Sequence, residues 1–209
     1  MGIPMQDSRY SELARMIEAW PGLVSGPAAR LVEDSLVLLP HLGDTATLVD
    51  VGSGGGLPGL ALKIARPELA VSLLEADQAK AAFLVQATAR LGLDGVEVLA
   101  VRAEDAGRDP RRREAYDVAV ARALAALPAL VELCMPLVRV GGRLLAQKTG
   151  RKEVDGAARA IEALGGELVS VEPAPSAARR DGAVVIVAKV RPTPDVYPRR
   201  PGVPVRKPL

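Results

Sequence analysis

The stretch Val49-Asp-Val-Gly-Ser-Gly-Gly-Gly-Leu-Pro-Gly59 carries the strongest local signal in this chain of 209 residues. It follows Thr47–Val51, a short and nearly unbroken apolar run that suits a buried parallel strand. It opens a helix predicted over Gly59–Ala65, which Arg66 and Pro67 end. Glycines in a strand–turn–helix context let the backbone approach a ligand without Cβ clashes and tolerate positive φ. Two patterns overlap here. Gly54, Gly56 and Gly59 match the G-x-G-x-x-G of dinucleotide sites, while Gly52, Gly54 and Gly56 match the G-x-G-x-G of S-adenosylmethionine sites. The glycines alone do not choose between them.

Glu75 stands directly after the next predicted strand, Ala70–Leu74. In a doubly wound sheet that position lies beside the end of the first strand, where a carboxylate accepts the hydroxyls of an adenosyl ribose. Both cofactors carry such a ribose. Asp50 tilts the choice, because a carboxylate beside the loop repels a pyrophosphate and suits the amino group of a methionine moiety.

The same alternation continues outward. A helix is predicted over Ala79–Leu91 and strands over Val96–Val101 and Tyr116–Val120. A helix over Leu127–Met135 follows, then a Gly141-Gly142 turn into a strand over Arg143–Gln147. A helix over Val154–Leu164 leads to strands over Glu167–Val171 and Ala183–Val190. Repeated β-α units imply a mostly parallel seven-stranded sheet with helices on both faces. The last two strands have no helix between them, so the last should run antiparallel. The expected fold is therefore α/β, a doubly wound, Rossmann-like methyltransferase fold preceded by short N-terminal helices. Leu13, Met16, Ile17 and Trp20 give the first of these helical spacing, and Ala28–Leu39 forms a second. The organisation divides as a helical extension over 1–45, a cofactor domain over 46–190 and a basic arm over 191–209. The arm holds six prolines and five basic residues and should run extended, with no regular element.

Composition narrows the chemistry. One cysteine, Cys134, and one histidine, His41, exclude disulfide frameworks and thiolate or multi-histidine metal sites. No run of 18 apolar residues occurs, and no signal-peptide pattern opens the chain, so a cytoplasmic protein is expected. Aromatic residues are 2% of the chain, too few for a base-stacking platform. Charge is split: residues 1–105 carry net −6 and residues 106–209 net +8, which suggests that one face meets a polyanion.

The acceptor can be narrowed too. Pyrimidine C5 needs a cysteine nucleophile, and Cys134 sits among helical core residues. An exocyclic adenine amine calls for an Asn/Asp-Pro-Pro-aromatic turn after strand four, where this chain has Ala121-Arg-Ala-Leu124. Guanine N7 carries an in-plane lone pair and no proton, so it needs no general base. Residues after strands four and five, Arg122 and Lys148, should face the acceptor. Arg122 would hold guanine O6 or a phosphate, and Lys148 a phosphate.

At these residues the chain resembles the bacterial small-subunit rRNA guanine-N7 methyltransferases, also called the glucose-inhibited division protein B family. The resemblance runs from Arg30 to the end of the chain. It rests on Asp50–Gly59, Lys80-Ala-Ala-Phe-Leu84, Arg102-Ala-Glu104, Ala121-Arg-Ala123, Ala146-Gln-Lys-Thr-Gly150 and Tyr197-Pro-Arg-Arg-Pro-Gly-Val-Pro204. It implies S-adenosylmethionine-dependent methylation of N7 of a single guanosine in 16S rRNA, guanine 527, and a link to streptomycin response. The implied partner is 16S rRNA, in the 30S subunit or its precursor, met by a monomer without metal or membrane. The expected cofactor residues are Asp50, Gly52, Ser53, Gly54, Gly56, Leu57, Glu75, Ala76, Ala103, Glu104 and Arg122. Arg122 and Lys148 are the expected catalytic residues; Arg102, Lys148, Arg199 and Arg200 are expected on the RNA. Asp34-Ser35 matches the end of the family's His-x-x-Asp-Ser motif, with Leu31 where the histidine stands. The family's upstream Asn-Leu-Thr element is absent. Two other readings stay open: a nicotinamide-dependent oxidoreductase using Gly54, Gly56 and Gly59, and an RNA-binding module that keeps the fold without catalysis.

Overall fold

The computed structural model describes residues 6–150 and 154–209. Seven strands form one sheet: β1 (Thr47–Val51), β2 (Ala70–Leu74), β3 (Val96–Leu99), β4 (Tyr116–Arg122), β5 (Val138–Thr149), β6 (Gly166–Pro173) and β7 (Gly182–Lys189). Their order is β3-β2-β1-β4-β5-β7-β6. The pairs from β3 to β5 are parallel, and β7 is antiparallel to both β5 and β6. The expected single antiparallel strand is therefore the last, inserted between β5 and β6.

Alternation along the buried strands separates two cores. Leu48, Val118 and Val120 face the layer that contains α1 (Ser8–Ala19), α2 (Ala28–Ser35), α3 (Gly59–Ala65) and α4 (Gln78–Arg90). Val49, Ala119 and Ala121 face the other layer, which contains α5 (Ala103–Ala106), α6 (Leu127–Cys134) and α7 (Ala158–Ala163). The period-2 switch of side chains from face to face produces this sandwich directly. The N-terminal helices share the first core, since Leu13 and Ile17 cluster with Leu60 and Phe83. The edge of Trp20 meets Phe83 with ring centroids 5.5 Å apart. Asp77 caps α4 by accepting from the amides of Ala79 and Lys80, a contact typically worth about 1 kcal/mol. Cys134 is fully buried in the second core, as its helical neighbours suggested, and burial pushes its thiol up.

Three expectations change. Strand five is longer than Arg143–Gln147, because Gly141, at φ +85°, sits in a bulge inside it rather than in a turn before it. Tyr116 pairs with Val138, and Val118 with Arg143. The helix expected over Val154–Leu164 begins as a 3-10 turn, Asp155–Ala157, before α7. The arm is not a free extended segment. It contains a short helix, α8 (Val203–Arg206), and it is bonded to the body. Arg113 donates to the carbonyls of Thr193 and Tyr197, and the buried ammonium of Lys189 donates to the Thr193 hydroxyl.

At the N-terminal end of the sheet, Asp117 on β4 accepts from the amides of Ala46 and Thr47 and from Arg139. Burial raises its carboxyl, but these donors outweigh that and hold it at about 2. This clasp closes β1 against β4 at one end, and their pairing runs on to Asp50 and Val120.

Candidate active site

β1 is the switch point of the sheet, with β2 on one side and β4 on the other, and ligands of open α/β sheets bind where such strands end. A cleft of about 1090 Å³ lies there. That exceeds the range usual for one small ligand and leaves room for a second group beside it.

The first wall is the glycine loop. Gly52 and Ser53 donate their amides to the carbonyl of Leu74 at 2.8 and 3.0 Å, and Gly54 donates to Glu75 Oε2 at 2.9 Å. Gly52 and Gly56 have φ of +75° and +80°, which glycine adopts without cost. A Cβ on Gly59 would lie 2.8 Å from Asp50 Oδ2, so the first turn of α3 can press onto that carboxylate. Gly52, Ser53, Gly54 and Leu57 line the cleft. Gly56 shapes the turn from behind.

Asp50 departs from expectation. It is fully buried beneath the loop and does not line the cleft. Its Oδ2 accepts the Gly59 amide at 2.9 Å, so it braces the loop from below. Burial pushes its carboxyl up to about 7, against the opposing pull of the Gly59 amide and the Arg122 charge.

Glu75 and Ala76 form the floor after β2. Glu75 accepts from Gly54 and, through Oε1, from the Asp77 amide at 2.8 Å. Each carboxylate oxygen keeps a further lone pair for a hydroxyl. Arg102, Ala103 and Glu104 follow β3 and also line the cleft, Arg102 exposed and Glu104 buried. Glu104 Oε1 accepts the Gly202 amide at 2.7 Å, which brings the arm to the cleft.

The facing wall is built on charge. Arg122, the last residue of β4, lines the cleft and donates to the carbonyl of Leu31 at 3.1 Å, with Asp34 Oδ2 3.8 Å away. Burial lowers the affinity of its guanidinium for the proton, while Asp34 and Asp50 oppose that. The fully buried Asp34 also takes Arg179 Nε on both oxygens at 3.0 Å and the Ser176 hydroxyl at 2.6 Å. Arg179 lines the cleft, and its Nη2 is buried with no partner among the described residues. Ala123, between Arg122 and Leu124, holds φ +51°. That conformation costs a non-glycine residue roughly 1–2 kcal/mol, and such strain concentrates at functional sites.

Other expected residues lie elsewhere. Lys148 is inside β5, not after it; its ammonium donates to the carbonyl of Ala125 and it does not line the cleft. Its carbonyl accepts from Arg179 at 2.6 Å. Arg199, expected on RNA, is turned inward to bind the fully buried Glu132 with two nitrogens, at 2.5–3.0 Å. Arg200 is exposed. The Arg111–Arg113 run, which reads as a possible phosphate contact, is taken up within the protein: Arg111 by Asp109, Arg112 by Glu97 and Arg113 by backbone carbonyls. Sequence reasoning gave no role to Arg179, to Leu31 or to the Leu23–Ser25 loop, all of which line the cleft. On this side the sequence signalled Arg122 and the motif that carries Leu31, Asp34 and Ser35.

The comparisons with known proteins agree with this geometry. The family model GidB, rRNA small subunit methyltransferase G, matches residues 27–180. The ribosomal RNA small subunit methyltransferase G of Moorella thermoacetica is 44% identical over 218 residues, covering 95% of this chain and 91% of its own. That of a Roseiflexus species is 45% identical over 215 residues, covering 98% and 92%. Among solved structures, the O-methyltransferase TomG of Streptomyces achromogenes, in complex with SAM, superposes with a TM-score of 0.63 at 18% identity, covering 88% of this chain and 91% of its own. The last likeness shows the doubly wound fold. The family model and the two relatives, the latter over nearly the whole chain, show more: the chain belongs to the rRNA small subunit methyltransferase G family.

Proposed function

We propose that the protein is an S-adenosylmethionine-dependent methyltransferase that acts on N7 of a single guanosine of 16S rRNA. The observation that carries this reading is one cleft in which the glycine loop and Glu75 face Arg122 and Arg179. The family and the named relatives support methylation of small-subunit rRNA.

The residues fit the cofactor. The positive-φ glycines bring backbone close enough to pack against a methionine moiety, and Glu75 retains the lone pairs that accept two ribose hydroxyls. Bound there, the cofactor supplies an electrophilic methyl group on a sulfonium sulfur.

The chain's own work is to hold and orient the base. Arg122 and Arg179 line the cleft beside the place for guanine O6 or a flanking phosphate, and Asp34 fixes both. N7 attacks with a lone pair and gives up no proton. The cleft lining among the described residues includes no histidine or cysteine, in keeping with that requirement. Arg102 and Lys80 at the mouth, and Arg200 beyond it, suit phosphates of the surrounding RNA. Leu31, at the position of the family histidine, lines the same cleft.

The test is transfer of tritiated methyl from S-adenosylmethionine to 30S subunits that lack the modification, followed by nucleoside analysis. Labelled 7-methylguanosine at one site is the expected result. Label on another nucleoside, or on protein, would overturn the N7 assignment.

A further inference from the structure

We infer that the C-terminal arm is a wall of the cofactor site, and that docking of the arm and binding of the adenosyl group are coupled through Glu104. The inference rests on the cofactor reading above and adds a part of the site to it.

Beyond Glu75 at the end of β2, the cleft continues to the segment after the neighbouring β3. At that end the cleft is lined by Val101 and Glu104 from the segment after β3, and by Gly202, Val205 and Arg206 from the arm. The arm is held there by two separate contacts. Arg199 grips Glu132 of α6 with two nitrogens, and the Gly202 amide donates to Glu104 Oε1 at 2.7 Å.

Two features point to a ligand at this place. Val101 and Val205 are 43% and 53% exposed, although both line the cleft. An apolar pair left open to solvent inside a polar-floored cleft suits the faces of a heterocyclic base. Glu104 is buried and gives one oxygen to the arm, which leaves its second carboxylate oxygen able to accept from an exocyclic amine. A single carboxylate fixed by the arm is better placed for the base than a free one, and the base in turn fixes the carboxylate for the arm. Binding of one must strengthen binding of the other by the same factor.

Hydrogen exchange on the intact protein tests the coupling. S-adenosylmethionine and adenosine should each slow exchange of the Gly202, Arg206 and Lys207 amides at least about fivefold, and methionine should not. Calorimetry supplies the second arm. Removing residues 201–209 spares Arg199 and Glu132, and should weaken S-adenosylmethionine binding at least about fivefold. Intact protein that binds S-adenosylmethionine while its arm amides stay unprotected would overturn the proposal and leave the cofactor reading standing. So would a folded truncation that binds as tightly as the intact chain. Intact protein that does not bind S-adenosylmethionine would overturn both. Should the truncation fail to fold, exchange on the intact protein decides alone.

Discussion

On one side of the cleft, amides of Gly52, Ser53 and Gly54 bond to Leu74 and Glu75, about twenty residues further along the chain. On the other side, Asp34 bonds to Ser176 and Arg179, which lie 142 and 145 residues away. The first wall is backbone held by short-range contacts. The second is a buried ion cluster assembled only when the whole sheet has closed. A backbone wall resists substitution through shape, whereas an ion wall resists through charge balance. The two should therefore fail differently.

The largest effect is expected at Asp34. Asp34→Ala leaves Arg122 and Arg179 buried without their carboxylate and should cost about 3–5 kcal/mol of folding stability, read as a lower urea midpoint at unchanged slope. A loss below about 1 kcal/mol would mean that the second wall does not depend on its charges. Arg199→Ala comes next. It strands Glu132, which is fully buried, and should cost about 3 kcal/mol, whereas Arg199→Lys keeps the charge and recovers part of that. A stability-neutral Arg199→Ala that weakens only RNA binding would return Arg199 to the RNA-facing role its sequence suggested.

On the backbone wall, Gly59→Ala drives a methyl group to 2.6 Å from Leu73 and 2.8 Å from Asp50. Overpacking of this kind should cost about 1–3 kcal/mol and weaken cofactor binding, seen by calorimetry, without altering the charge cluster. The last effect is a slope. Asp50, at about 7 in the folded protein and near its ordinary value of about 4 when unfolded, binds the extra proton in the native state. Its contribution is complete below about pH 4, falls as pH rises, and is gone above about 7. Asp50→Asn keeps an acceptor for the Gly59 amide and should flatten that decline in stability between pH 4 and 7. An unchanged slope would place the titration elsewhere.

The same division governs what could be read from the sequence. The glycine loop, its strand and Glu75 are legible because each depends on neighbours within a turn or one β-α unit. The bounds of α3 and the inward, core position of Cys134 follow from local pattern. Arg179 is not legible, since nothing around Ala177-Ala-Arg-Arg180 signals a partner far earlier in the chain. Nor does periodicity tell a cation that faces solvent from one that seals a buried carboxylate, and this is why Arg199 read as an RNA contact rather than as the partner of Glu132. Asp50 was legible as a residue of the site but not as a brace, because a strand carboxylate can point above or below the loop. Lys148 was displaced by strand length: β5 continues through Lys148 to Thr149, which pair there with Ala183 and Gly182 of β7.

The place of β7 has a consequence for the order of assembly. β6 touches the rest of the sheet only through β7, and β7 ends at Lys189. During synthesis at about 5–20 residues per second, β5 therefore stays an open edge while the following forty residues are made. Until then β6 has no neighbour to pair with, and Asp34 is not yet held by Arg179, which lies between β6 and β7. A ribosome stalled before this point would hold a chain with the glycine loop formed and the ion cluster missing, with an unpaired edge exposed to other nascent chains. Premature termination in this interval should therefore yield aggregates rather than a weak enzyme.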